Sequence, residues 1–230
     1  MKEEVLDDDA AVARRGAAVI AADARDAVAE RGWFLFAVSG GRTPWQMLAA
    51  LAGEDVPWSF VHLFQVDERV APAGDPDRNL THIRESLLSR VALPAGNLHA
   101  MPVEGDPKDL PAAAARYAAE LESLAGTPAV LDLVHLGLGP DGHTASLVPH
   151  DPVLDVTDRA VALAGPYQGH LRMTLTFPVL DAARRILWLA TGAEKKPMLE
   201  RLRAGDRSIP AGRVASAQAL LLTDRAAAGG

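Results

Sequence analysis

Stretches with helical hydrophobic spacing alternate along this chain with short, unbroken apolar runs. Between positions 9 and 31, Val12, Val19, Ile20, Ala24, Ala27 and Val28 recur on one helical face; an aspartate opens the segment and Gly32 follows it. That spacing predicts an amphipathic helix over 9–31. Positions 33–38 are then apolar throughout and rich in aromatics, the pattern of a strand covered on both faces. The turn Ser39-Gly40-Gly41-Arg42 leads into a second predicted helix, with Thr43 as its N-cap, Pro44 at its first position and Gln46 where a capping box places it. The next apolar run, 61–66, predicts a strand that ends at Asp67-Glu68-Arg69 and a loop of Pro, Gly and Asp. Helical spacing returns over 81–90 and 110–124. Strands are predicted over 131–136, 160–163, 172–177, 186–190 and 220–223, and helices from about Pro178 and Glu194.

Strands that alternate with helices and read as apolar from end to end predict an α/β protein: a largely parallel, Rossmann-like sheet with helices on both faces. No internal repeat, linker or composition break interrupts the pattern, so residues 1–230 are expected to form a single domain. Hydrophobic residues make up 49% of the chain, many of them alanine, which suits closely packed helices. The net charge of -7, with no stripe of lysine or arginine, argues against a nucleic-acid partner. An anionic small molecule remains compatible with it, because a few placed cations set a local potential. Without cysteine, disulfides, thiolate metal sites and cysteine nucleophiles are excluded. The acidic start, Met1-Lys2-Glu3-Glu4 and then Asp7-Asp8-Asp9, lacks the apolar stretch of a signal peptide, and no run has the length of a membrane span. The expectation is a cytoplasmic protein with no membrane partner, a monomer or small homo-oligomer.

The densest chemistry lies in Gly137-Leu138-Gly139-Pro140-Asp141-Gly142-His143-Thr144, directly after a predicted strand. Ligands of open α/β sheets bind beyond the carboxyl ends of strands, where this turn must lie. His143 there can accept a proton near neutral pH, and Asp141 is placed to orient the ring or stabilise its cation. The three glycines formally match a dinucleotide fingerprint, but Pro140 interrupts it, His143 follows at once, and no acidic residue closes a strand about twenty positions on. The turn Ser39-Gly40-Gly41-Arg42-Thr43 offers backbone N–H groups, hydroxyls and a helix N-terminus to an anion; no Lys-Ser/Thr pair follows, so it is not a Walker A loop. Lys195 and Lys196 stand near the start of a predicted helix, where a cation opposes the helix dipole unless an anion faces it. Arg172 opens a strand after a loop, a common position for an anion clamp. Asp67 and Arg69 put an acid and a cation at the same edge. His62 and His135, inside apolar runs, read as hydrogen-bonded core histidines. His82, His99, His150 and His170 have no ligand-like spacing, so no metal is expected. A serine nucleophile elbow is absent.

Taken in order, Ser39-Gly40-Gly41-Arg42-Thr43-Pro44, Asp67-Glu68-Arg69, Gly137 through Leu147, Arg172-Met173-Thr174-Leu175-Thr176 and Gly192-Ala193-Glu194-Lys195 closely resemble the 6-phosphogluconolactonase family, over almost the whole chain. The resemblance implies a Rossmann-like fold shared with sugar-phosphate isomerases and deaminases, and hydrolysis of 6-phospho-D-glucono-1,5-lactone without cofactor or metal. Carried onto this sequence, it implies that Ser39, Gly40, Gly41, Arg42, Thr43, Arg172 and Lys195 hold the phosphorylated lactone. It further implies that His143 activates water with support from Asp141, that glycine-turn N–H groups, Gly142 among them, and Arg69 stabilise the oxyanion, and that His143 or Asp67 returns the proton. Arg42 stands where members often carry a smaller residue. Arg78-Asn79-Leu80 replaces a more usual Ser-Asn-Tyr, leaving Asn79 as the contact candidate there. The stretch Tyr167-Gln168-Gly169-His170-Leu171 lacks the family's common lysine and prolines. Two other readings share the fold. A glucosamine-6-phosphate deaminase/isomerase carries a glutamate shortly after the histidine, where this chain has no carboxylate in Thr144-Ala145-Ser146-Leu147-Val148-Pro149. A non-catalytic sugar-phosphate sensor usually adds a DNA-binding module, for which the chain has no spare length.

Overall fold

The structure, a computed structural model, describes residues 1–229. In chain order its strands are β1 (Lys2–Leu6), β2 (Phe34–Val38), β3 (Val61–Gln65), β4 (Asp67–Arg69), β5 (Leu98–His99), β6 (Leu133–Gly137), β7 (Val161–Tyr167), β8 (His170–Leu175), β9 (Arg185–Ala190) and β10 (Ala219–Asp224). The α-helices are α1 (Asp9–Arg31), α2 (Arg42–Leu51), α3 (Asn79–Ile83), α4 (Leu110–Ala125), α5 (Phe177–Ala182), α6 (Lys196–Arg203) and α7 (Arg225–Ala228). Seven strands form an all-parallel sheet in the order β1-β10-β9-β6-β2-β3-β5, and β4-β8-β7 form a separate antiparallel sheet.

The apolar strand runs are explained by two cores. Phe34, Phe36 and Val38 of β2 pack on α1 and α2 together with Leu63, Leu133, Leu187 and Leu222. The alternate residues Leu35 and Ala37 face the other way, joining Val134, Leu136, Trp188, Leu221 and Tyr117 of α4. Side chains of period two thus bury both faces, and the sheet carries helices on each. The antiparallel sheet closes over the second core through Val161, Ala162, Met173 and Leu175. Helix α1 is bounded as its sequence predicts: the Ala11 N–H donates to Asp8 Oδ1 at 2.7 Å, and Gly32, at φ 86°, donates its N–H to the Val28 carbonyl.

Four features differ from the sequence expectation. Helix α2 starts two residues early, with Gly41 in the capping position and no side-chain cap. Thr43 therefore lies inside the helix and turns its hydroxyl to Thr191 Oγ1 at 2.7 Å, while Gln46 is exposed and forms no capping box. Second, Asp67-Glu68-Arg69 is a strand that pairs with β8, not a loop. Third, the predicted strands over 160–163 and 172–177 belong to the antiparallel sheet. Fourth, α3 runs into a wider, π-type turn at Arg84–Leu88, where the Ser89 N–H reaches back to the Arg84 carbonyl. No described helix is long and apolar enough to cross a membrane.

Candidate active site

Strand order reverses between β6 and β2: the chain leaves β2 for β3 on one side and reaches β6 on the other. Crevices form at such switch points beyond the carboxyl ends of the strands. Here β2 delivers Ser39-Gly40-Gly41, β3 delivers Asp67, β6 delivers Gly137 to His143, and β9 leads to Lys195. Two adjoining hollows of about 200 and 300 Å³ share Gly40, Gly41, Gly137, Leu138 and Lys195. The first is also lined by Ser39, Asp67, Arg69, His143 and Arg172, and the second by Arg42, Thr43, Thr191 and Glu194.

The histidine is held by its own turn. Asp141 Oδ1 accepts from His143 Nδ1 at 2.5 Å and from the His143 backbone N–H at 3.1 Å. The turn is closed by Gly139 N–H to the His143 carbonyl at 2.8 Å and Gly142 N–H to the Gly139 carbonyl at 3.1 Å. Glycine is required at two of its positions. A Cβ on Gly139 would sit 2.1 Å from His143 Nδ1; Gly142 has φ 83°, and a Cβ there would meet Ile209 at 2.6 Å. Burial works against ionisation of Asp141, but the hydrogen bonds from the His143 ring and backbone and from Tyr167 outweigh it, so its carboxyl lies below the usual value. With that carboxylate accepting at Nδ1, the neutral ring carries its proton on Nδ1 and leaves the Nε2 lone pair free. Among the described residues, no hydrogen-bond partner occupies Nε2.

A second group supplies positive charge. Arg69 and Arg172 stand directly opposite each other across β4 and β8, a like-charge pair that is unfavourable without an anion. Burial, followed by repulsion from Arg69, pushes the Arg172 guanidinium down from its ordinary value. Lys195 occupies the N-cap position of α6, where its charge again opposes the dipole. Three cations are thus held at a cleft edge in settings that an anion would relieve.

The remaining candidates are spread around this cleft. Asp67 lines it, yet makes no hydrogen bond with His143; its oxygens accept from Ser146 Oγ at 2.7 Å and from Ser39 Oγ and Asn79 Nδ2 at 3.4 Å. Asn79 does not line the cleft. It is 1% exposed, lies behind Gly40, and donates to the Asp67 carbonyl at 2.9 Å. The Gly142 N–H is consumed inside the turn and is not open to a ligand. Asp141 stands behind His143, away from both hollows. His135 is wholly buried, with Nδ1 accepting from the Ser39 N–H at 3.3 Å, so the core histidine fixes the start of the glycine turn. His62 is only half-buried and meets His99 Nε2 at 3.0 Å.

Two residues of consequence were not singled out from the sequence. Glu68 is fully buried and its carboxylate accepts from Gln65 Nε2 and from the backbone N–H groups of Arg69, Asn79 and Leu80, with Arg78 Nε 3.2 Å away. It ties β4 to the start of α3 and so sets where Asp67 and Arg69 stand. Tyr167 OH donates to Asp141 Oδ2 at 3.1 Å. The Asp-Glu-Arg triplet drew attention to Glu68's neighbours, but nothing in hydropathy marks a buried charge. Tyr167 lies in the stretch whose departure from the family pattern was visible.

An open-sheet α/β fold with a carboxylate-backed histidine in a cation-rimmed crevice is the arrangement of an enzyme that acts on an anionic small molecule. Residues 7–222 match the family described as glucosamine-6-phosphate isomerases/6-phosphogluconolactonase, and the chain belongs to that family. It is 38% identical to a 6-phosphogluconolactonase of Nostoc over 201 residues, 85% of this chain and 82% of that protein. To one from Mycobacterium tuberculosis it is 38% identical over 234 residues, covering 96% and 94%. A solved 6-phosphogluconolactonase from Trypanosoma cruzi superposes with a TM-score of 0.89 at 26% identity, covering 99% of this chain and 96% of that one. A monomeric glucosamine-6-phosphate deaminase, at 19% identity and a TM-score of 0.83, shares the fold.

Proposed function

We propose that this chain hydrolyses 6-phospho-D-glucono-1,5-lactone to 6-phospho-D-gluconate, in the oxidative pentose phosphate pathway, with His143 as general base. The observation that carries the reading is the His143–Asp141 pair, whose histidine lines a cleft rimmed by Arg69, Arg172 and Lys195 and, among the described residues, has no partner on Nε2. The phosphate takes the Ser39–Thr43 turn, Arg172 and Lys195, with Arg42 at the outer rim. Water between Nε2 and the lactone carbonyl gives a proton to Nε2 as its oxygen attacks the carbonyl carbon. Asp141 stabilises the imidazolium, and Arg69 stabilises the oxyanion; the Gly139 and Gly142 N–H groups are taken up inside their own turn. When the tetrahedral carbon re-forms its carbonyl, the ring C–O bond breaks and the departing oxygen takes the proton from Nε2. Both Asp67 oxygens already accept hydrogen bonds, which leaves His143 as the donor for this step.

The segment after the histidine supports hydrolysis over deamination. Thr144 and Ser146 are buried and no carboxylate stands there to assist ring opening. The test is the loss of freshly made lactone measured against its spontaneous hydrolysis. Wild type is expected to run well above background and His143→Asn to fall by about 10²–10⁴-fold. A wild-type rate equal to background overturns the activity, and an undiminished His143→Asn rate overturns the base.

A further inference from the structure

Tyr167 is fixed in place from both sides along the chain. Just before it, the β7–β8 register slips between Ala164 and Tyr167. In that irregularity the Gly165 N–H donates to Asp151 Oδ2 at 2.7 Å, and a Cβ on Gly165 would lie 2.9 Å from the same oxygen. Just after it, Gln168 and Gly169 turn the hairpin with φ of 52° and 85°, the pair of positive angles that lets a two-residue loop follow the twist of its strands. Bulges next to tight turns re-aim side chains, and this one aims the phenol back at the histidine turn.

Its contacts join two parts of the site that share no hydrogen bond or ion pair with each other. The hydroxyl donates to Asp141 Oδ2, the oxygen not used by His143, and lies 3.4 Å from His143 Nδ1. The ring meets the imidazole edge-on, with centroids 5.1 Å apart and planes at 66°. The Arg172 guanidinium lies 5.1 Å from the centroid of the same ring, and its Nε and Nη2 donate to the Tyr167 carbonyl at 3.3 and 3.1 Å. Burial, reinforced by the Asp141 charge, holds the phenol above its ordinary value, so it remains a donor.

We infer that Tyr167 is a positioning residue: it holds the His143–Asp141 pair and the anion-binding Arg172 in one fixed relation, so base and phosphate clamp act as a unit. The kinetic half of this inference rests on the lactonase reading above. A side chain that merely filled space would need neither the hydroxyl nor the arginine contact, and this difference can be measured.

Tyr167→Phe and Tyr167→Leu in the full chain separate the two contacts. The first readout, the NMR titration of the His143 ring nitrogens, needs no turnover. The second is kcat and KM for the lactone across pH. Asp67, Arg69, Arg172 and Lys195 also line the cleft with His143, and Asp141 backs it. All of them are unchanged in both variants and set a common baseline. In Tyr167→Phe, Asp141 loses one donor and its charge falls more fully on the imidazolium. The titration midpoint and the acidic limb of kcat/KM are then expected to move up by about half a pH unit, with KM within about twofold of wild type. Tyr167→Leu should show the same movement and also raise KM by about three- to tenfold, because Arg172 loses the ring it lies against. A Phe variant with wild-type titration and pH profile, or a Leu variant with unchanged KM, overturns the inference. If wild type fails to hydrolyse the lactone, the activity reading falls on that control alone, and the titration still decides whether Tyr167 governs the pair.

Discussion

Gly139 illustrates how tightly the base is placed. The ring of His143 occupies the space a methyl group would need, so Gly139→Ala must displace the imidazole or open the turn. Because a displacement of about 1 Å can cost about 10²-fold, kcat should fall by that order while thermal melting changes little. A melt lowered in proportion to activity would instead mark the glycine as a folding requirement. Lys195 belongs to the other half of the cleft. Lys195→Ala is expected to raise KM about tenfold or more, the loss of one charge-assisted contact, with a much smaller effect on kcat. At this scale the sequence was informative where function and chain order coincide: His143, Asp141 and the glycines around them lie within one turn. It was silent on Tyr167 and Glu68, whose partners arrive from distant segments. It also named Asn79 as a ligand contact, whereas the fold spends that side chain on Asp67.

Elements were legible in proportion to how locally they are determined. Helix α1 was bounded correctly because a cap and a glycine decide its ends, and both can be read in place. Its N-cap gives a direct measurement: Asp8→Ala should cost about 1 kcal/mol in urea unfolding, with Asp8→Ser close to wild type. An equal loss in both variants would show that the aspartate acts through something other than its hydrogen bond to Ala11. The edge strands β1 and β5 were missed for the opposite reason. β1 reads Lys-Glu-Glu-Val-Leu and β5 has two residues; each is made a strand by its neighbour. The antiparallel sheet escaped too, although the hairpin between β7 and β8 left a trace in Gln168-Gly169. Thr43 was misplaced because a glycine can occupy a capping position without any side-chain signal.

For the molecule as a whole, burying neutral histidines makes stability depend on acidity. Burial pushes His135 down to about 3, and burial followed by repulsion from His99 lowers His62. In the unfolded chain an imidazole takes its proton near pH 6.5. Below that pH the unfolded state binds more protons than the folded one, so stability is complete above about 6.5 and drains away as the pH falls toward 3. Urea unfolding across that interval should show a decline to which His135 contributes up to about 1.4 kcal/mol per pH unit. His135→Asn keeps an acceptor for the Ser39 N–H; it should be less stable at pH 7 but show a visibly shallower decline. An unchanged slope would assign the acid sensitivity elsewhere, with Asp141 as the next group to examine.

Strand β1 has a single neighbour in the sheet, and that neighbour is β10, with Lys2 set against Leu220 and Leu6 against Asp224. A ribosome makes β1 before the other strands of this sheet and β10 after them. Until β10 is made, then, β1 has no strand to pair with, and β9 keeps an open edge until β10 slides between them. The nascent protein cannot finish its sheet by adding strands in the order they emerge. Completion waits for β10, and the interval before it is when a chaperone, or another unfinished copy, has its best access to the chain.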